Sequence, residues 1–127
     1  MTIGELTSRI KVHAGPMTAT EVLRLPRLVR KELEVPIITH GYDPLLVGRD
    51  ENLARLVIDD TFISRTHAVI EMENGKFYLK DLHSKNGTYL NEKKLRPGER
   101  SPQPLRNGDR IRFNIVEFEF VSPENNL

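Results

Sequence analysis

The sequence predicts an all-β fold, two antiparallel sheets packed as a sandwich, and three observations carry that prediction. From Val35 onward, short apolar stretches recur about every eight to twelve residues, each closed by turn residues. Asn74-Gly75 lies between two such stretches, and this dipeptide suits the left-handed backbone of a tight hairpin. Near the C-terminus Val116, Phe118 and Phe120 alternate with Glu117 and Glu119, as a strand with one buried face requires.

Taken in order, the first 34 residues read as an N-terminal extension. Arg9 to His13 alternates like a strand and Ala14-Gly15-Pro16 ends it. Apolar positions 25, 28, 29 and 33 then recur at helical spacing, with Pro26 suited to a first turn, which predicts a short amphipathic helix over 25–34. The main domain is expected over 35–122, followed by a tail at 123–127. Its strands are expected at Ile37 to His40, Leu45 to Gly48, Leu56 to Ile58, His67 to Met72, Phe77 to Leu82, Thr88 to Leu90, Lys94-Leu95, Asp109 to Phe113 and Ile115 to Val121. The expected inward residues are Val47, Val57, Ile58, Val69, Phe77, Leu79, Ile111, Phe113, Phe118 and Phe120.

Composition narrows the function classes. A chain of 127 residues with 38% hydrophobic content can fill one modest core. Its 19 basic and 18 acidic side chains leave a formal charge of +1, so no overall field draws it onto nucleic acid or an anionic membrane, and any anion must be caught locally. With no cysteine there is no disulfide frame and no thiolate site. No secretory signal is evident before Pro16 and no stretch reaches the length of a membrane span, so a cytoplasmic location is expected.

Two polar clusters flank the predicted hairpin: Ser64-Arg65-Thr66-His67 and Ser84-Lys85-Asn86-Gly87-Thr88. A hairpin brings its outer loops toward one end of a sandwich, where the loop Gly48-Arg49-Asp50-Glu51-Asn52 offers similar chemistry. Guanidinium forks, a serine hydroxyl, an ammonium and nearby backbone N–H groups together suit a phosphate. Asn86 carries both a donor and an acceptor, which suits it to a peptide backbone.

Gly48-Arg49, Ser64-Arg65-x-His67, Ser84-x-Asn86-Gly87-Thr88 with Asn91, and Leu105-x-Asn107-Gly108-Asp109 occur in an order and spacing that resemble a forkhead-associated (FHA) domain over residues 45 to 121. The resemblance implies a sandwich of about eleven strands whose end loops bind phosphothreonine in a partner segment, with no catalysis and no cofactor. Position by position, it implies that Arg49 and Ser64 contact the phosphate, that Arg65 and Lys85 flank it, and that Asn86 holds the peptide main chain. Gly48, His67, Gly87 and Thr88 are expected to support the loops. The implied partner is a threonine-phosphorylated protein, a Ser/Thr kinase or its substrate. The N-terminal Thr18 or Thr20, once phosphorylated, is a further expected ligand for this pocket.

Other readings of the same residues are weaker. Ser64, His67 and Asp59 or Asp60 offer the residue types of a hydrolase triad, but no Gly-x-Ser-x-Gly elbow is present. Nucleotide-binding glycine motifs and metal-ligand spacing are absent, and the aromatic residues alternate toward the core rather than line a basic stripe. The main competitor is an FHA-like sandwich acting as a phosphate-independent interaction module.

Overall fold

The computed structural model describes residues 9–13, 18, 20–21, 24–38, 44–98 and 102–123. These form twelve strands: β1 (Ile10–Val12), β2 (Arg27–Arg30), β3 (Leu33–Pro36), β4 (Leu45–Gly48), β5 (Leu56–Ile58), β6 (Ala68–Glu73), β7 (Lys76–Asp81), β8 (Thr88–Leu90), β9 (Lys93–Lys94), β10 (Gln103–Pro104), β11 (Arg110–Phe113) and β12 (Val116–Val121). One sheet has the order β1-β5-β4-β6-β7-β10 and the other β3-β2-β12-β11-β8-β9. The sandwich is therefore as expected, except that β4 and β5 pair in parallel, Val47 with Leu56 and Gly48 with Val57.

The sheets close on a core that includes Leu28, Ile37, Leu45, Ile58, Ile70, Leu79, Ile111, Phe113, Phe118 and Phe120, each essentially sealed from solvent. Period-two alternation explains these positions, and Phe77, Phe113, Phe118 and Phe120 add tilted ring contacts at 5.7 to 6.0 Å. All ten residues expected to point inward are buried, but Val57 and Val69 lie outside the core cluster. Their register explains this. Val57 neighbours inward Leu56 and Ile58 in sequence, and Val69 pairs with Lys80 and Leu46 on the opposite face from Ile70.

The helix expected over 25–34 is absent; β2 and β3 form a hairpin there, and the boundary expected at residue 35 falls inside β3. Leu28 faces Phe120 on β12 in register and Val35 on β3, and both Leu28 and Val35 are fully buried. Joining the edge of an existing sheet satisfies the backbone and buries these residues at once, which outweighs a weak local helical pattern. Lys31, at φ 54°, turns the hairpin, and Arg27 pairs with Glu34 across it at 2.5 Å. Residues 10–12 also join a sheet, pairing with β5. The strand expected at Ile37 to His40 is not formed at Ile37 and Ile38, since β3 ends at Pro36; Thr39 and His40 lie outside the described residues, as do Ala14-Gly15-Pro16 and residues 124–127. β10 had no counterpart in the sequence reading, which named nothing at Gln103 and Pro104.

Candidate functional site

Three loops meet at one end of the sandwich because their backbones bond to one another. The loop after β4 is tied to the one before β6 by Arg49 N–H to Ser64 O (3.0 Å) and Asp50 N–H to Arg65 O (3.2 Å). The loop after β7 joins them through Lys85 N–H to Ser64 Oγ (2.9 Å). Gly48 lets the first two approach: a Cβ there would stand 2.1 Å from the carbonyl oxygen of Arg65. The result is an open depression of about 380 Å³ lined by Arg49, Phe62, Ser64, Arg65, His83 and Lys85 among others.

Each side chain in it has a defined state. Arg49 is exposed, and its Nε–H donates to Ile63 O at 3.0 Å, which holds the guanidinium while leaving its two terminal nitrogens for a ligand. Ser64 Oγ accepts from Lys85 N–H, so its own proton remains available to donate outward. Arg65 is mostly exposed and pairs with Asp50 Oδ2 at 3.3 Å. Lys85 is exposed, whereas Asn86 is half-buried and its Nδ2 donates to Phe62 O at 2.8 Å. The structure thus brings together all five residues expected to contact a ligand.

Beneath this rim lies a braced layer. His67 is fully buried, accepts Ser64 N–H at Nδ1 (3.1 Å) and meets Gly87 O through Nε2 (2.9 Å), with Phe113 edge-on at 5.9 Å. Both ring nitrogens are thereby engaged with backbone, and neither faces Ser64 Oγ, so no serine-histidine triad is assembled here. Gly87, at φ 92°, adopts a conformation that side chains resist, and a Cβ there would crowd Lys94 and Tyr89. Thr88 is fully buried and donates from Oγ1 to Asp81 Oδ1 at 2.6 Å.

Asp81 went unassigned in the sequence reading. It is 2% exposed and accepts from the Ser84 hydroxyl, the Ser84 N–H and Thr88, so one carboxylate shapes the loop that carries Lys85 and Asn86. The signal was present: Phe77 and Leu79 point inward, and Asp81 occupies the next inward position. Asp50 was likewise given no role. The Asn52 backbone N–H and then the Arg65 guanidinium hold its carboxyl below the usual value, against an opposing effect of burial.

Burial pushes the His67 pKa below its ordinary 6.5, partly opposed by the Gly87 hydrogen bond and the Asp81 charge. A proton added at Nδ1 would face the Ser64 N–H, donor against donor. Because the folded value is lowered, the unfolded chain takes up the proton first as pH falls through 6.5. Stability contributed by neutral His67 is therefore present above 6.5 and lost as pH falls from there toward the lowered value. Urea midpoints measured between pH 7.5 and 5.5 are expected to fall with acidification, and to fall less steeply in His67→Gln; parallel slopes would refute the assignment.

The fold and site define a two-sheet β-sandwich with a donor-rich loop cluster at one end. Residues 45–114, just over half of the chain, match the family model described as FHA domain. FhaB, an FHA domain-containing protein of Mycobacterium tuberculosis (strain ATCC 25618 / H37Rv), is 38% identical over 73 residues, covering 56% of this chain and 46% of FhaB. Protein FraH of Nostoc sp. is 49% identical over 61 residues, 46% of this chain and 20% of FraH. The chain thus spans less than half the length of these relatives. Among solved structures, the MEK1 FHA domain in complex with a HOP1 pThr peptide superposes with a TM-score of 0.66 at 28% identity, over 78% of this chain and 97% of that one. The FhaA FHA domain, complexed with the intracellular domain of another protein, gives 0.59 at 25% identity, over 75% and 96%. The chain belongs to the FHA family.

Proposed function

We propose that this chain is a phosphothreonine-dependent protein-binding module, an adaptor that docks on threonine-phosphorylated segments. The observation that carries the proposal is the donor set around the depression: the Arg49 terminal nitrogens, the Ser64 hydroxyl proton, and the Arg65 and Lys85 cations, supplied by three interlocked loops. A phosphate dianion offers only acceptors, and this rim is dominated by donors. Asn86, with Nδ2 on Phe62, turns its carbonyl oxygen to a peptide N–H. The solved MEK1 FHA domain bound to a pThr peptide supports the same mode.

The proposed partner is a Ser/Thr kinase or its substrate in the cytoplasm. The module's own N-terminal segment is a second proposed ligand when Thr18 or Thr20 is phosphorylated. Both threonines are exposed, and Thr18 is held by a reciprocal pair of bonds, its N–H to Glu21 Oε2 and Glu21 N–H to its Oγ1. A phosphate on Thr18 would meet the Glu21 carboxylate, so Thr20 is the better site of the two.

Three or four charge-assisted hydrogen bonds, about 1.5 to 3 kcal/mol each, must offset the ordering of a flexible peptide, and micromolar affinity is the expected balance, about 8 kcal/mol. Calorimetry with paired phosphothreonine and unmodified peptides tests this. Micromolar binding of the phosphorylated member alone is expected; equal binding of both would favour the phosphate-independent reading instead.

A further inference from the structure

The strand β1 lies outside residues 45–114, the span of the family match, and forms the edge of its sheet beside β5. Its anchoring is regular. Ile10 pairs with Ile58 and Val12 with Leu56, Ile10 joining the core cluster and Val12 packing against it. At its two ends Arg9 O accepts from Asp59 N–H at 2.8 Å, and His13 N–H donates to Arg55 O at 2.9 Å. Period two then leaves Lys11 on the outer face, opposite Val57, which is itself in register with Gly48, the residue before Arg49.

Lys11, Arg49, Glu51, Val57 and Asp59 line a depression of about 190 Å³. Arg49 thus borders two depressions, one shared with Ser64 and Lys85 and one shared with two carboxylates. A guanidinium fork pairs with a carboxylate as it does with a phosphate, and a carboxylate on the same loop is present at a local concentration that a diffusing partner does not match. Neither acid takes Arg49. Among the described residues its guanidinium donates to Ile63 O, while Glu51 Oε2 stands 3.4 Å from Lys11 Nζ. Asp50, a third acid on this loop, is likewise engaged, by Asn52 N–H and Arg65.

We infer that Lys11 is a positioning residue of the phosphopeptide site: from β1 it holds the Glu51 carboxylate off Arg49, so that both terminal guanidinium nitrogens stay open to a phosphate. The inference rests on the phosphothreonine reading of the same site. Lys11 acts through Glu51 and needs no contact with the ligand. Both members of the Lys11–Glu51 pair are more than half exposed, so solvent screens them and the effect is modest. A freed Glu51 should compete with the ligand for Arg49 by about three- to fivefold.

The test titrates the full chain and its variants with one phosphothreonine peptide, the strongest that the wild-type chain selects from a degenerate phosphothreonine library. Lys11→Ala is expected to weaken binding about three- to fivefold at low salt, and the loss should shrink as salt rises. Lys11→Arg should keep wild-type affinity. Glu51→Gln placed beside Lys11→Ala should restore it, because the competing charge is gone; alone it should change affinity by less than about twofold. Lys76→Ala removes the same charge at the far end of the β6–β7 hairpin and should bind as wild type. Melting temperatures within about 2 °C of wild type would show that the affinities report the site and not the fold. Wild-type affinity in Lys11→Ala would overturn the inference. A loss that persists undiminished beside Glu51→Gln would overturn it too, since Lys11 would then act on the ligand directly. If the wild-type chain selects no phosphorylated peptide, the phosphothreonine reading falls and this inference with it.

Discussion

Arg49→Ala is expected to weaken phosphothreonine-peptide binding at least about 100-fold while the protein stays folded. The side chain is exposed, and inside the protein its one hydrogen bond among the described residues goes from Nε to Ile63 O. Removing it therefore costs the fold about 1 kcal/mol at most. Toward a phosphate it would supply two charge-assisted bonds from a planar fork, roughly 3 to 5 kcal/mol together, which is more than two decades in affinity. Arg49→Lys keeps the charge and loses the fork, so it should fall between the two, weaker than wild type by about tenfold. Calorimetry at two salt concentrations checks the cause. Wild-type affinity should drop as salt rises, and the alanine variant should show a shallower dependence. Wild-type affinity in Arg49→Ala would refute the assignment of Arg49 as a phosphate ligand.

The position of Arg49 and its companions was legible in the sequence because strand spacing and the Asn74-Gly75 turn say which loops share an end. Leu45 to Gly48, Leu56 to Ile58 and Thr88 to Leu90 are strands as read, and the hairpin between β6 and β7 places the two polar clusters side by side. What pattern alone missed was decided by partners distant in sequence. Leu28 fits a helical period locally, yet its partner is Phe120, more than ninety residues away, and only the assembled sheet reveals it. The parallel pairing of β4 with β5 is similarly invisible, because alternation is the same in either direction. Asp81 is a different kind of omission. Alternation after Phe77 and Leu79 marks its position as inward, but what it holds there emerges only once Ser84 and Thr88 are seen to converge on one buried carboxylate. Arg65 illustrates the reverse case, since a cation expected to flank a ligand is also paired with Asp50.

Gly48→Ala should be the most damaging single-methyl substitution at this end of the molecule. The added Cβ would stand 2.1 Å from Arg65 O, 2.9 Å from Arg65 C and 3.1 Å from Thr66 Cα, and all three are backbone atoms with no rotamer to yield. One of the two chains must move. β4 is held between β5 and β6, and Val47 is sealed in the core, so the displacement falls on the loop carrying Ser64 and Arg65. That shift strains the Arg49-to-Ser64 and Asp50-to-Arg65 backbone bonds, the same bonds that set the two loops against each other. The expected cost is about 3 kcal/mol, a large share of the 5 to 15 kcal/mol typical of a domain, and a fall in melting temperature of about 10 °C. Phosphopeptide affinity should fall by more than tenfold at temperatures where the variant is still folded, because Arg49 and Ser64 no longer converge. Gly75→Ala provides the contrast: its φ of 78° disfavours a side chain, but nothing lies within 4 Å of the new Cβ, and the turn is at the far end of the hairpin. It should cost about 1 kcal/mol and leave binding unchanged. A Gly48→Ala protein with wild-type melting and wild-type affinity would show that the two loops can separate without consequence, and the close approach would then have no part in forming the site.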